Sequence, residues 1–266
     1  MVRKRLDLVL VERGLASSRH LAQARILAGE VLVDGQRIDK AGTRVKPDVE
    51  LTLSGQDAPY VSRGGLKLER AIRAFKLDFG GKIVLDVGAS TGGFTDCALQ
   101  HGSRKVYAVD VGYGQLAWKL RQDPRVVVLE RTNIRYLAED QLIPKPEIAC
   151  IDVSFISLQK ILPTVVRLLG NKKVVVALIK PQFEVGKGKV GKGGIVKDPL
   201  LHQEVLGRIV PAFNQYLTCV GLDYSPIKGA KGNIEYLLHA HLEDPALPKP
   251  KFCISQLVAE AHTELA

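Results

Sequence analysis

The sequence predicts an α/β protein: a mostly parallel seven-stranded sheet covered on both faces, with a small separate α/β module in front. Three observations carry this prediction. Seven apolar runs, at 83–87, 106–111, 126–129, 148–153, 174–179, 218–223 and 236–240, alternate with helical patterns, as strands do in a sheet buried on both sides. The first run breaks into a glycine-rich turn at Gly88 and resumes as a helix. The first 55 residues follow a different pattern and are cut off by a stretch rich in Ser, Gly, Asp and Pro.

The front module reads element by element. Leu6, Val9 and Leu10 share a helix face, and Gly14 ends that helix. Ser17 or Ser18 caps a second helix carrying Leu21, Ala24 and Ala28, which ends near Gly29. Val31 to Ile38 form a hairpin around the Asp34-Gly35 turn, and Val49, Leu51 and Leu53 alternate as a further strand. The expected boundaries are a module over 1–55, a linker over 56–65 with a hinge at Gly64-Gly65, a main domain over 66–245 and a tail over 246–266. Leu68, Ala71, Ile72 and Phe75 mark the helix that enters the main domain.

Composition narrows the class. Lys and Arg exceed Asp and Glu by 38 to 28, which favours a polyanionic partner, nucleic acid before an anionic membrane surface. The four cysteines, Cys97, Cys150, Cys219 and Cys253, are far apart, so neither a zinc site nor a disulfide framework is indicated. No metal is expected. The basic N-terminus lacks a signal-peptide core, and the apolar stretch 161–179 is interrupted by Arg167, Lys172 and Lys173. These features point to a cytoplasmic protein with reduced thiols. Oligomeric state has no signature.

The run Ile83-Val84-Leu85-Asp86-Val87-Gly88-Ala89-Ser90-Thr91-Gly92-Gly93-Phe94 delivers a bare backbone loop to the carboxyl edge of the sheet, where ligands bind. Its spacing departs from the dinucleotide fingerprint Gly-x-Gly-x-x-Gly, and no P-loop lysine follows. A tight strand–helix turn without ligand is the alternative. Asp110, Asp152 and Lys180 also close apolar strands, and Glu235 opens a run that can return antiparallel to the same edge. Lys180, after Val174 to Ile179, sits against desolvating surroundings, which lower a lysine pKa and can make it a base, while nearby carboxylates oppose that shift and orient the amine. Each residue alone reads first as an exposed strand-end charge. Val185 to Lys197 form a glycine- and lysine-rich loop, placed as a lid or an RNA-backbone contact.

The loop resembles the first motif of S-adenosylmethionine-dependent methyltransferases. Arg5-Leu6-Asp7, Gly14, Ser18-Arg19, Ala22, Ile26, Gly29, Val31, Val33, Asp34-Gly35 and Lys40 make the front module similar to the ribosomal S-four-type RNA-binding domain. Lys67, Asp152, Lys180 and Glu235 resemble the Lys-Asp-Lys-Glu tetrad of FtsJ-like ribose 2′-O-methyltransferases. From about residue 3 to 242 the chain resembles the TlyA family of ribosomal RNA methyltransferases, also called haemolysin-like. Tyr60 to Leu68, Thr132 to Arg135, Asp152 to Leu158 and Ile179 to Glu184 are the most specific segments.

The resemblance implies a Rossmann-like class I methyltransferase domain and roles for its residues. Gly88, Ala89, Ser90, Thr91 and Gly92 would cradle the methionine part of S-adenosylmethionine, with Asp86 and Phe94 in the same motif. Asp110 would accept the ribose hydroxyls, unless it serves only as a helix cap, and Asn133 and Ile134 would lie near the adenine. Lys180 would take the 2′-hydroxyl proton, Asp152 and Glu235 would position it, and Lys67 would steady the substrate. Arg3, Arg5, Arg19, Lys40 and Arg63 would hold RNA, with Lys4 and Arg25 beside them. The implied reaction is 2′-O-methylation of a cytidine in ribosomal RNA, with ribosomal RNA or subunits as partner and no membrane. The competing readings are an RNA-binding assembly factor without turnover, a membrane-active haemolysin and a base methyltransferase.

Overall fold

A computed structural model describes residues 3–16, 18–53, 59–186, 188–229, 231–242 and 250–266. The chain forms two compact units, Met1–Ala58 and Pro59–Ala266.

In the first unit β1 (Lys4–Arg5) leads into α1 (Leu6–Glu12) and α2 (Arg19–Leu27), followed by β2 (Val31–Val33), β3 (Gln36–Arg37), β4 (Arg44–Val45) and β5 (Leu51–Leu53). Ser18 caps α2 by accepting the Leu21 N–H at 3.2 Å; Ser17 lies outside the described residues. Asp34 (φ 50°) and Gly35 (φ 77°) are both left-handed, which matches the twist of a two-residue hairpin turn. The core is Leu6, Val9, Leu10, Ala22, Ile26 and Val31. The face of α2 differs from the expected one. Ala22 and Ile26 are buried while Leu21 and Ala24 are exposed, because α2 is rotated by one residue to meet Leu6 and Leu10.

The second unit contains α3 (Gly64–Phe75), β6 (Ile83–Val87), α4 (Gly93–Gln100), β7 (Lys105–Val109), α5 (Trp118–Arg121), β8 (Val126–Leu129), β9 (Ile148–Ile151), α6 (Leu162–Leu168), β10 (Val174–Ile179), α7 (Pro181–Glu184), α8 (Pro199–Phe213), β11 (Thr218–Tyr224), β12 (Tyr236–His241) and α9 (Ile254–Glu264). The strand order is β11-β12-β10-β9-β6-β7-β8. The run from β10 to β8 is parallel, and β12 is antiparallel to both its neighbours. This is a doubly wound, Rossmann-like sheet with one reversed strand. Alternate strand residues feed two cores. Ile83, Leu85 and Val87 join Val175, Ala177 and Ile179 on the face of α6, α8 and α9. Val84, Cys150, Val176 and Leu178 face α3 and α4.

Two boundaries move. The second unit begins at Pro59, and Gly64 and Gly65 start α3 rather than forming a hinge; positions 56–58 lie outside the described residues. A Cβ on Gly65 would stand 2.3 Å from the Tyr60 ring, and one on Gly93 would stand 2.8 Å from the Gly65 nitrogen. The glycines therefore allow α3 and α4 to touch backbone to backbone. The expected boundary at 245 also lies outside the described residues. Beyond it, α9 buries Val258 and Ala261 in the core shared with α8, so it is part of the domain rather than a separate tail.

Candidate active site

The sheet order reverses between β6 and β9, and the crevice at their carboxyl ends is the expected ligand position. Gly88 (φ 89°) and Gly92 (φ 99°) hold the loop after β6 in left-handed conformations. A Cβ on Gly88 would lie 2.5 Å from the Asp152 carbonyl oxygen, so any side chain there would fill the crevice. Gly88 and Ala89 both donate to the Val109 carbonyl, at 2.9 and 3.1 Å. Asp110, just past β7, accepts the Ser90 N–H at 2.8 Å and the Gly112 N–H at 2.7 Å. The Asp110 carboxylate thus clamps the two loops that frame the crevice. Thr132 N–H donates to the Asp110 carbonyl at 2.9 Å, which brings the 132–134 segment alongside.

Asp86 is fully buried in mid-strand. One oxygen accepts the Thr95 hydroxyl at 2.6 Å, and among the described residues Oδ1 has no partner. Burial, opposed by the Thr95 hydrogen bond, pushes its carboxyl up to about 7. Other candidate cofactor residues take structural positions. Phe94 is 4% exposed and packs in the core against α3. Ile134 is buried in the opposite core, and Asn133 Oδ1 accepts the Arg135 N–H at 3.1 Å as a cap.

Residues widely spaced in sequence meet at the carboxyl edge of β9 and β10. Asp152 and Lys180 each follow their strand by one residue, and Lys180 Nζ lies 2.6 Å from Asp152 Oδ1. The contact is one of charge, off the direction of a hydrogen bond to that oxygen. Lys180 also donates to Ser154 Oγ at 3.2 Å. Ile179 pairs with Tyr236 across the antiparallel ladder, so Glu235 arrives beside Lys180. Lys67, on the second turn of α3, donates to Glu235 Oε2 at 2.5 Å. Their side chains are 10% and 3% exposed.

Three neighbours escaped the sequence reading. Gln182 Nε2 donates to Glu235 Oε1 at 3.5 Å, and its own Oε1 is buried with no partner among the described residues. Ser154 holds Lys180. Phe155 is 89% exposed with φ 64°, a strained backbone for a bulky residue, and its ring lies 4.9 Å from that of Phe183. Beside it lies an open depression of about 630 Å³, lined by Arg135, Phe155, Lys160, Gln182, Gly186 and Val190 among others. An exposed aromatic ring in a strained loop is the signal that conformation reveals and sequence does not. Glu184 ties that loop down by accepting the Leu158 N–H at 2.8 Å.

In the first unit, Asp7 is fully buried beneath two arginines. It accepts from Arg5 Nε and Nη2 at 3.0 Å, from Arg19 Nε at 3.0 Å and from Gln23 at 2.8 Å. The Arg5 guanidinium, with Gln23 and Arg19, holds the Asp7 carboxyl well below the usual range against its burial. Arg5 and Arg19 remain 41% and 52% exposed. Arg3, Lys40 and Arg63 are exposed. Arg63 donates to the Lys228 carbonyl at 3.3 Å. Arg25 is committed to the Leu15 carbonyl at 2.7 Å, and Lys4 to Glu12.

A Rossmann-like sheet with a reversed strand and a glycine cradle at its switch point is the scaffold of a class I methyltransferase, and comparison with known proteins agrees. Residues 60–242 match the FtsJ-like methyltransferase model, and residues 4–51 match the S4 domain. The chain belongs to the FtsJ-like methyltransferase family and is an S-adenosylmethionine-dependent methyltransferase with an RNA-binding module in front. It is 52% identical to YqxC of Bacillus subtilis, covering 99% of this chain and 95% of that protein. It is 47% identical to the 16S/23S rRNA (cytidine-2′-O)-methyltransferase TlyA of Mycobacterium tuberculosis, with 89% of each covered. A solved structure from Streptococcus thermophilus is 45% identical and superposes with a TM-score of 0.78, over 99% of this chain and 97% of that one.

The site's residues fit the methyl donor: the crevice is kept open by Gly88, and Asp86 Oδ1 is a buried acceptor in need of a donor. Among the described residues no cluster of ligating side chains could hold a metal ion. Among them, too, no helix is long and apolar enough to cross a membrane.

Proposed function

We propose that this protein methylates the 2′-hydroxyl of a cytidine in ribosomal RNA, working in the cytoplasm on ribosomal subunits. The observation that carries the reading is the convergence of Asp152, Lys180 and Glu235 on one sheet edge, with Lys67 paired to Glu235. Asp86, Asp110 and the 88–92 loop would hold S-adenosylmethionine, which supplies an activated sulfonium methyl when bound. Lys180 takes the 2′-hydroxyl proton as the oxygen attacks, and Asp152 stabilises the ammonium that results. Lys67 and Glu235 form a rigid, water-poor wall that orients the ribose. Alignment supplies much of the rate, because the methyl group is already activated. Phe155 offers an exposed ring on which the target base can stack. Arg5 and Arg19, oriented by Asp7, present planar forks to phosphates; Arg3 and Lys40 extend the basic surface of the first unit, and Arg63 offers a further cation on the second.

The test is methyl transfer from labelled S-adenosylmethionine to unmodified ribosomal subunits, followed by digestion to nucleosides. Label in 2′-O-methylcytidine is the expected result. Label on a base overturns the proposed role of the tetrad, and absence of label with intact subunit binding favours the assembly-factor reading.

A further inference from the structure

Val196 ends the glycine-rich segment after α7, and buried side chains hold both of its backbone groups. Its N–H donates to Asn233 Oδ1 at 2.9 Å, while Asn233 Nδ2 donates to the Gly194 carbonyl at 2.9 Å. Its carbonyl lies 3.0 Å from His202 Nε2. A carbonyl only accepts, so Nε2 carries a hydrogen, and in the neutral ring Nδ1 is then the acceptor. The Tyr236 hydroxyl, 2.7 Å away, donates to that Nδ1. His262 Nε2, on α9, stands 3.3 Å from the same atom. His202 and Tyr236 are fully buried and Asn233 is 2% exposed. Burial, opposed by the Val196 hydrogen bond, lowers the His202 pKa below the ordinary imidazole value, which favours the neutral ring.

Asn233 and Tyr236 flank Glu235, the partner of Lys67 and Gln182. At its other end the glycine-rich segment contributes Gly186 and Val190 to the depression beside Phe155. Gly186, Gly188, Gly193 and Gly194 all have positive φ. Such a segment has little intrinsic preference for one path, so its course must be imposed from outside. Among the described residues, Asn233 and His202 hold its backbone at 194–196, and Glu204 on α8 holds Lys189 farther back.

We infer that Asn233 and His202 are positioning residues that fix the glycine-rich wall of the substrate depression and Glu235 as one unit. The inference rests on the proposed reaction for its effect on rate, but the clamp itself is testable without turnover. Hydrogen exchange of the full-length free protein reads the clamp, and methyl-transfer kinetics read its consequence. His202→Phe fills the volume without a donor; His202→Gln can still donate to Val196. The expected result is amide exchange across 190–196 accelerated about tenfold or more in His202→Phe and Asn233→Ala. Gln at 202 should restore most of the protection, and β6 and α4 should be unchanged. In parallel kcat should fall about tenfold with S-adenosylmethionine affinity retained.

Wild-type exchange in both Asn233→Ala and His202→Phe overturns the clamp. Faster exchange with unchanged kcat, or with cofactor affinity lost in proportion, reduces these residues to ordinary core packing. Should His202→Phe fail to fold, Tyr236→Phe removes a single oxygen and carries the same comparison. Absence of transfer by the wild-type chain refutes the reaction, and exchange then decides the clamp alone.

Discussion

Lys67 and Glu235 are 168 residues apart in the chain, yet the ammonium of one meets the carboxylate of the other at 2.5 Å. Both are nearly shielded from water, with side chains 10% and 3% exposed. A buried pair of this kind is costly to break from one side, because the remaining charge has no solvent to turn to. Lys67→Met is expected to destabilise the second unit by about 3 kcal/mol. Lys67→Met combined with Glu235→Gln should recover most of that loss. Urea denaturation of the two single variants and the double variant measures the coupling; strict additivity would contradict the pairing.

Lys180→Ala should abolish methyl transfer, by about a hundredfold or more, while binding S-adenosylmethionine as the wild type does. The proposed cofactor cradle is the loop after β6 with Asp110, whereas the contacts of Lys180 are with Asp152 and Ser154. Calorimetry and single-turnover assays on the same preparation separate the two quantities. Undiminished turnover would remove Lys180 from the mechanism.

Phe155 holds a left-handed backbone, φ 64°, which costs an ordinary side chain of order 1 kcal/mol. Phe155→Gly relieves that strain and removes an 89% exposed ring. Stability should stay level or rise, while kcat/KM for RNA falls by the worth of one stacked base, about 1–3 kcal/mol. A rise in melting temperature with full activity would assign the strain no function.

Asp7 couples the two arginines of the first unit. Arg5→Ala with Arg19→Ala should weaken RNA binding and reduce its salt slope by about two phosphate contacts, with cofactor affinity intact. The double variant also strips Asp7 of its charged partners, so Asp7→Asn is the informative companion. It leaves both guanidinium groups in place but loosens their orientation, and RNA affinity should fall by a smaller amount. Filter binding across a salt series distinguishes the variants.

Asp86 sets a pH dependence whose sign is fixed by its burial. The folded carboxyl titrates at about 7 and the unfolded one near 3.8. Between those values the folded state holds a proton that the unfolded state has lost, so stability declines as pH rises from about 4 to about 7. Asp86→Asn should flatten that decline. Denaturation midpoints of the two proteins at pH 5 and pH 8 give the comparison.

Much of the architecture was legible because its signals are local. The strand from Ile83 to Val87 and the loop that follows are written in consecutive residues, as are the Ser18 cap and the Asp34-Gly35 turn. Asp152 and Lys180 could be placed on one edge because each ends an apolar run of a parallel sheet. The α9 helix was not legible: 246–266 reads as a tail, because the helical spacing of Ile254, Leu257, Val258 and Ala261 does not identify the α8 surface they cover.

The sequence by itself determined the two units, the strand that carries the glycine cradle and the residue types available at the site. Tertiary structure decided which of those residues meet. The Ile179–Tyr236 register delivers Glu235 to Lys180's side, the backbone contact of Gly65 with Gly93 brings Lys67 within reach, and the strained turn at Phe155 turns its ring to solvent. Each depends on packing between segments far apart in the chain, where no periodicity or spacing can specify distance. Gly65 makes the point most directly: as sequence Gly64-Gly65 reads as a flexible hinge, and in the fold the bare Gly65 makes room for the Tyr60 ring while Gly93 of α4 closes on its nitrogen.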